Sequence, residues 1–112
     1  MMEITTQEFK HSNLFKVKGR VDSATAPEFS KAFEKANNEG RFKLVVDMSE
    51  LEYMSSAGFR ALLATQRNCK RYNRGELVLA SAPERIREAL ELAGFTELFK
   101  IYNDVLEAVG SF

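Results

Sequence analysis

The residues with the most chemical potential lie together, in Asp47-Met48-Ser49-Glu50-Leu51-Glu52-Tyr53-Met54-Ser55-Ser56-Ala57-Gly58-Phe59. Two adjacent hydroxyls, Ser55 and Ser56, stand where a helix should begin. A hydroxyl at such a place can cap the helix, receive a phosphoryl group or hydrogen-bond a partner. Gly58 in the first turn weakens a helix by roughly 1 kcal/mol relative to alanine, so smallness there serves some purpose. Close approach by a phosphate or a partner surface would explain it, and so would tight packing against a neighbouring loop. Catalytic chemistry is poorly supplied by comparison. His11 is the only histidine and falls in an N-terminal turn, and neither G-x-S-x-G nor G-x-x-x-x-G-K-S/T occurs. Cys69 stands alone, without a cysteine for a disulfide or clustered ligands for zinc. These residues give little support to an enzyme, and no metal or cofactor is expected.

The charge balance narrows the partners. Sixteen basic and sixteen acidic side chains cancel to a formal charge of zero, which leaves no long-range field for nucleic acid or an anionic membrane. The longest apolar runs, Leu44 to Val46 and Leu77 to Ala80, are far too short to span a bilayer. The start, Met-Met-Glu-Ile-Thr-Thr, has neither a basic n-region nor an apolar h-region, so a cytoplasmic location is expected. With 112 residues, 45% of them hydrophobic, and no linker-like stretch, the chain reads as one domain over 1–112.

The elements that must position the serines follow from periodicity. Met2, Ile4 and Thr6, then Phe15, Val17, Gly19 and Val21, alternate as two strands joined through His11-Ser12-Asn13 into an antiparallel hairpin. Thr25-Ala26-Pro27-Glu28 and Ser81-Ala82-Pro83-Glu84 read as capping boxes opening helices. The first helix has Phe29, Ala32, Phe33 and Ala36 as its apolar face and ends near Gly40; the later one has Ile86, Ala89, Leu90 and Ala93 and ends at Gly94. Leu44-Val45-Val46 and Leu77-Val78-Leu79-Ala80 are continuous apolar strands, as expected when helices cover both faces of a sheet. A helix from Ser56 to Arg74 carries Phe59, Leu62, Leu63, Gln66 and Cys69 on one stripe. Phe99 to Tyr102 forms a last strand, and Asn103 caps a short final helix. On the second helix Arg67, Lys70, Arg71 and Arg74 complement the C-terminal dipole as a solvated stripe.

Strand and helix alternation after the hairpin predicts an α/β fold: a mixed, mostly parallel sheet of about five strands with about four flanking helices. Functional groups in such sheets collect beyond the carboxyl ends of the strands. That rule places Asp22, Ser23, Asp47, Ser49, Ser55, Ser56 and Ser81 on one hydroxyl-rich rim, with Asp47 to Ser56 as a long loop. Capping and local loop hydrogen bonds account for the same serines and aspartates without any partner. Met54 and Phe59 fit either a partly buried role or, for an exposed methionine, an adaptable contact.

The stretch Val46-Asp47-Met48-Ser49, then Leu51, then Met54-Ser55-Ser56-Ala57-Gly58, resembles the signature loop of the STAS domains, and within them the bacterial anti-sigma factor antagonists. Gly19-Arg20-Val21-Asp22 followed by Thr25-Ala26 is a second similarity, and the resemblance covers nearly the whole chain. It implies a phosphorylation site at Ser56, with Ser55 as the alternative. It also implies a partner-binding surface of Asp22, Ser23, Met54, Ser55, Ser56, Ala57, Gly58 and Phe59. Ser55 stands where many family members carry aspartate, which leaves a less acidic loop. The implied partners are an anti-sigma factor that is also a serine-protein kinase, and a metal-dependent serine phosphatase that resets the switch. Other readings open at this point are a STAS scaffold or accessory subunit that is not phosphorylated, and a small nucleotide or anion sensor.

Overall fold

The computed structural model describes residues 1–112. The elements run β1 Met2–Glu8, β2 Asn13–Val21, α1 Ala26–Asn38, β3 Lys43–Met54, α2 Ser56–Lys70, β4 Glu76–Ala80, α3 Glu84–Leu92, β5 Ile101–Tyr102 and α4 Val105–Gly110. The five strands form one sheet in chain order, β1-β2-β3-β4-β5. The β1–β2 pair is antiparallel and the other pairs are parallel. The α/β class, the N-terminal hairpin and the helix-flanked mixed sheet are as the periodicity predicted.

The continuous strands are buried on both faces. Leu44 and Val46 join Phe15, Val17, Phe29, Phe33, Leu62, Leu77 and Leu90 in the main core. Val45, between them, points to the other face and packs with Val78, Ala80 and Ala108 under α4. Aromatic rings knit α1 to β2: Phe15 and Phe29 each meet Phe33 edge to face, with centroids 4.9 and 4.7 Å apart. Such pairs add about 0.5–1.5 kcal/mol beyond the area they bury.

The largest difference from the sequence reading is β3. It does not end at Val46 but runs on to Met54, so Asp47 to Met54 is strand rather than loop. The residues that hid this are Met48, Leu51 and Met54, all buried and spaced by three, a step that a pleated strand cannot bring to one face. Two irregularities reconcile them. Between Lys16 and Lys18 of β2, and again between Gly19 and Arg20, β3 inserts one extra residue, as a β-bulge does. Asp47 secures the first of these, its carboxylate accepting the Ser49 N–H at 2.9 Å.

Helix ends differ too. Neither expected capping box forms: the Thr25 side chain makes no cap bond, and Pro83 occupies the N-cap of α3. Ser81 instead adopts φ 56° and bonds across to the β5 exit, its N–H donating to the Tyr102 carbonyl at 3.0 Å. Asp104, not Asn103, caps α4, accepting from the Glu107 N–H at 2.8 Å. α2 stops at Lys70, four residues before Arg74, and Tyr72 and Asn73 turn the chain with positive φ. Ala93, expected on the inner face of α3, is exposed.

Two polar side chains hold the periphery. Arg41 binds the hairpin turn, donating to Asn13 Oδ1 at 2.7 Å and to the carbonyls of Phe9 and Ser12. Gln66, buried on α2, accepts from the Leu77 N–H at 2.7 Å and donates to the Leu77 and Leu98 carbonyls at 3.0 and 2.9 Å. Cys69 is buried beside Asn37, and burial pushes its thiol up to about 11, which leaves it protonated and unreactive at neutral pH.

Candidate functional site

Because β3 outruns β4, the predicted rim divides into two levels. Asp47 pairs with Ala80 at the end of β4, so Asp47, Ser49 and Ser81 lie at the lower level. The parallel partner of β3 continues from Lys16 to Val21 before both strands end, which sets Ser55 and Ser56 roughly 15–20 Å further along the sheet. Asp47 and Ser49 are therefore strand residues with a local structural task, and they do not join the serines.

The upper level is where β2 and β3 leave the sheet together. Val21 pairs with Met54, and the Ser55 N–H donates to the Val21 carbonyl at 2.8 Å, so Asp22 and Ser55 leave the sheet side by side. Asp22 builds the turn into α1. Its carboxylate accepts the N–H groups of Ala24 and Thr25 at 3.0 Å, and the Asp22 N–H donates to the Thr25 hydroxyl at 2.9 Å. The Thr25 N–H, followed by the Thr25 hydroxyl and the Ala24 N–H, holds the Asp22 carboxyl below its usual range. Asp22 thus builds the turn ahead of α1, whose N-cap position Thr25 holds without a side-chain cap bond, and Ser23 stays exposed at the tip of the turn.

Ser55 is the N-cap of α2, in extended conformation, but its hydroxyl makes no cap bond. That hydroxyl is buried without a hydrogen-bond partner. Ser56, one residue on, is exposed at the first helical position. The first turn of α2 contains no acidic side chain, so the positive pole of a 15-residue helix faces solvent at Ser56 without a counter-charge of its own. The two serines are neighbours in sequence and opposites in accessibility.

The small residues beneath them answer to packing. Gly58 is buried, and a Cβ there would meet Met54 Cγ at 2.6 Å and Val21 Cγ1 at 2.9 Å. Met54 is itself buried, so it supports the loop from below and offers no exposed contact. Phe59 is half-buried, its ring edge to face with Phe95 at 5.3 Å. Of the residues expected to form a surface, Asp22, Ser23, Ser55, Ser56 and Ala57 reach the rim, whereas Met54 and Gly58 act through the core.

Arg20 and Tyr53 complete the rim and were not singled out from sequence. They are register partners on β2 and β3, with the Arg20 guanidinium 4.4 Å from the Tyr53 ring centre and the ring 41% exposed. Stacked arginine and tyrosine at the end of a sheet make a rigid amphipathic platform of the kind enriched at binding hot spots. The alternation Glu52-Tyr53-Met54 would have shown Tyr53 as outward-facing had the stretch been read as strand. Arg85 at the start of α3 reaches the Glu52 carbonyl at 3.3 Å and ties α3 to the same extension. No group of three or more His, Cys, Asp or Glu is placed to hold a metal ion, and no helix is long and apolar enough to cross a membrane.

Residues 3–108 match the family described as STAS domain. The chain belongs to the STAS domain family. A relative from Bordetella bronchiseptica, the putative anti-sigma factor antagonist BtrV, is 29% identical over 111 residues, 99% of this chain and 95% of the relative. Among solved structures, an anti-sigma factor antagonist from Mycobacterium paratuberculosis superposes with a TM-score of 0.88 at 22% identity, covering 99% of this chain and 93% of the other. The Bacillus cell fate determinant SpoIIAA in its phosphorylated form superposes with a TM-score of 0.76 at 14% identity, covering 97% and 98%. This STAS domain therefore lies among the anti-sigma factor antagonists in sequence and shares their fold over nearly its full length.

Proposed function

We propose that this STAS domain is an anti-sigma factor antagonist whose unphosphorylated form binds an anti-sigma factor with serine kinase activity and so releases a sigma factor. Phosphorylation of Ser56 by that kinase ends the association, and a metal-dependent serine phosphatase restores it. The domain is in this reading a cytoplasmic substrate and ligand of enzymes, not an enzyme. The name of the Bordetella relative supports the partner class. The existence of a phosphorylated SpoIIAA supports the covalent step.

The observation that carries the choice of residue is the contrast between the two serines. Ser56 is exposed at the positive pole of α2, while the Ser55 hydroxyl is buried, out of reach of a kinase active site without local opening. A phosphate on Ser56 adds about 1.5–2 negative charges at neutral pH, placed against free helix N–H groups. The helix favours that anion by roughly 0.3–1 kcal/mol, so the domain keeps its fold and the charge acts on the partner. Asp22, Ser23, Ala57 and Phe59 form the surrounding contact surface, with Arg20 and Tyr53 as its rigid flank.

The test uses the purified domain, the cognate kinase and ATP. Mass spectrometry is expected to place the phosphate on Ser56, and Ser56→Ala is expected to bind the kinase yet resist labelling. Ser56→Asp should lower affinity by about a hundredfold, the order of a like-charge or unpaired buried charge at an interface. Its circular dichroism should be unchanged. Full labelling of Ser56→Ala would move the site to Ser55, and an unfolded Ser56→Asp would overturn the surface-switch mechanism.

A further inference from the structure

At the end of the molecule where the parallel strands begin, away from the Ser56 rim, a cavity of about 210 Å³ lies between the hairpin turn, the start of β3 and the chain after α2. Lys10, His11, Arg41, Lys43 and Arg74 line it over the ring of Phe42. In a chain of zero net charge the two lysines and two arginines are a local concentration of cations. Of these residues only Arg41 has a carboxylate within ion-pair distance, the exposed Glu8 at 3.9 Å.

The two arginines are held in place by the fold. Arg41 spends Nε and one terminal nitrogen on Asn13, Phe9 and Ser12. Arg74 donates to the Arg71 and Asn68 carbonyls at 3.1 and 2.6 Å and lies 3.8 Å from the Phe42 ring centre. Gly75 fixes that stacking, because a Cβ there would collide with the Phe42 carbonyl. In both guanidiniums Nη1 is left without a partner in the chain. Helix C-termini account for Arg74 and for the α1 end beside Arg41, since cations there offset the dipole. They do not account for Lys10 or His11 on the hairpin turn, or for Lys43 at the first position of β3, which all converge on the same space.

We propose that this cavity is a binding site for a compact phosphate anion of the diphosphate class. Its volume, below the range usual for drug-sized ligands, suits a phosphate group with little else enclosed. Fixed guanidinium forks match phosphate oxygens, and the lysines add mobile point charges. The exposed Tyr72, whose ring lies 5.7 Å from Arg74, offers a stacking face just outside for a ligand whose phosphate carries an aromatic group.

The experiment is titration of the ¹⁵N-labelled intact domain with pyrophosphate at a fixed ionic strength of about 0.15 M. Saturable shifts are expected at Gly40, Arg41, Lys43 and Arg74 with Kd at or below about 1 mM. Lys10→Ala and Lys43→Ala alter exposed side chains that support no fold contact, and each should weaken binding about three- to tenfold, the double variant more. Adenosine diphosphate is the second arm. Equal affinity identifies a site that reads phosphate alone, and tighter binding with shifts at Tyr72 identifies a nucleotide site. Absence of saturation, the same shifts with sulfate at matched ionic strength, or indifference to both lysine substitutions overturns the proposal. Ser56→Asp should bind pyrophosphate as the unmodified domain does, which separates this site from the switch.

Discussion

Replacing Gln66 by leucine keeps the side chain's size and removes its hydrogen bonds. In a parallel ladder each residue turns both its N–H and its C=O to one side, and both groups of Leu77 face away from β3. β5 pairs only with Leu79 and Ala80, so at Leu77 no strand is there to receive them. The Gln66 amide takes the place of the missing peptide, accepting at 2.7 Å and donating at 3.0 Å. Leu77 is fully buried and Gln66 nearly so, at 6% exposure, which keeps water from substituting. Two orphaned buried groups cost about 1–3 kcal/mol each, and the gain from burying leucine in place of an amide returns part of that, leaving a net loss of about 3 kcal/mol. The third bond, to the Leu98 carbonyl, counts for less because Leu98 is 47% exposed and its surroundings admit solvent. At a urea dependence of about 1.5 kcal/mol per molar, the unfolding midpoint should fall by about 2 M. Hydrogen exchange should show the Leu77 amide losing protection relative to Leu79, whose N–H keeps its strand partner at the Lys100 carbonyl. A Gln66→Leu variant within about 0.5 kcal/mol of wild type, or uniform protection along β4, would refute the view that this amide completes the sheet edge.

Three further substitutions test the support around the rim. Gly58→Ala should destabilise the domain despite a helix-propensity gain of about 1 kcal/mol, because overpacking against Met54 and Val21 costs about 1–3 kcal/mol. Met54→Ala in the same chain should remove much of the clash, so the two changes should be non-additive in urea titrations; strict additivity would assign the cost elsewhere. Asp22→Ala should lower stability at neutral pH by releasing the Ala24 and Thr25 N–H groups. Folding depresses the Asp22 pKa, so its contribution is complete above the ordinary value of 3.8 and is lost as pH falls through the folded one. Melting curves of wild type and Asp22→Ala should therefore converge in acid, and a gap that widened there would contradict the hydrogen-bonded carboxylate.

Periodicity alone determined the fold class of this protein. The alternation of β1 and β2 and the three- and four-residue steps of α1 and α2 each bury a single face, and the unbroken Leu44 to Val46 and Leu77 to Ala80 runs, too short for helices and each preceded closely by a glycine, read as strands buried on both. The local pair Ser55-Ser56 before Ala57-Gly58 was likewise visible as a helix start. What sequence could not decide was everything that depends on a partner distant along the chain. Met48, Leu51 and Met54 look aperiodic until β2 pairs with them and the bulges absorb the extra residues, so by spacing alone the stretch reads as a loop and the rim as a single level. Thr25 and Ser81 have the right spacing for capping boxes, yet the strand exits beside them engage both first: the Thr25 hydroxyl accepts the Asp22 N–H, and the Ser81 N–H donates to the Tyr102 carbonyl. Gln66 fell on the buried stripe by spacing, but its bond to an unpaired strand edge exists only because β5 is two residues long. The same holds for the site. Sequence placed both serines at the α2 N-terminus; the pairing of Val21 with Met54 decided that the Ser55 hydroxyl faces inward and Ser56 faces solvent.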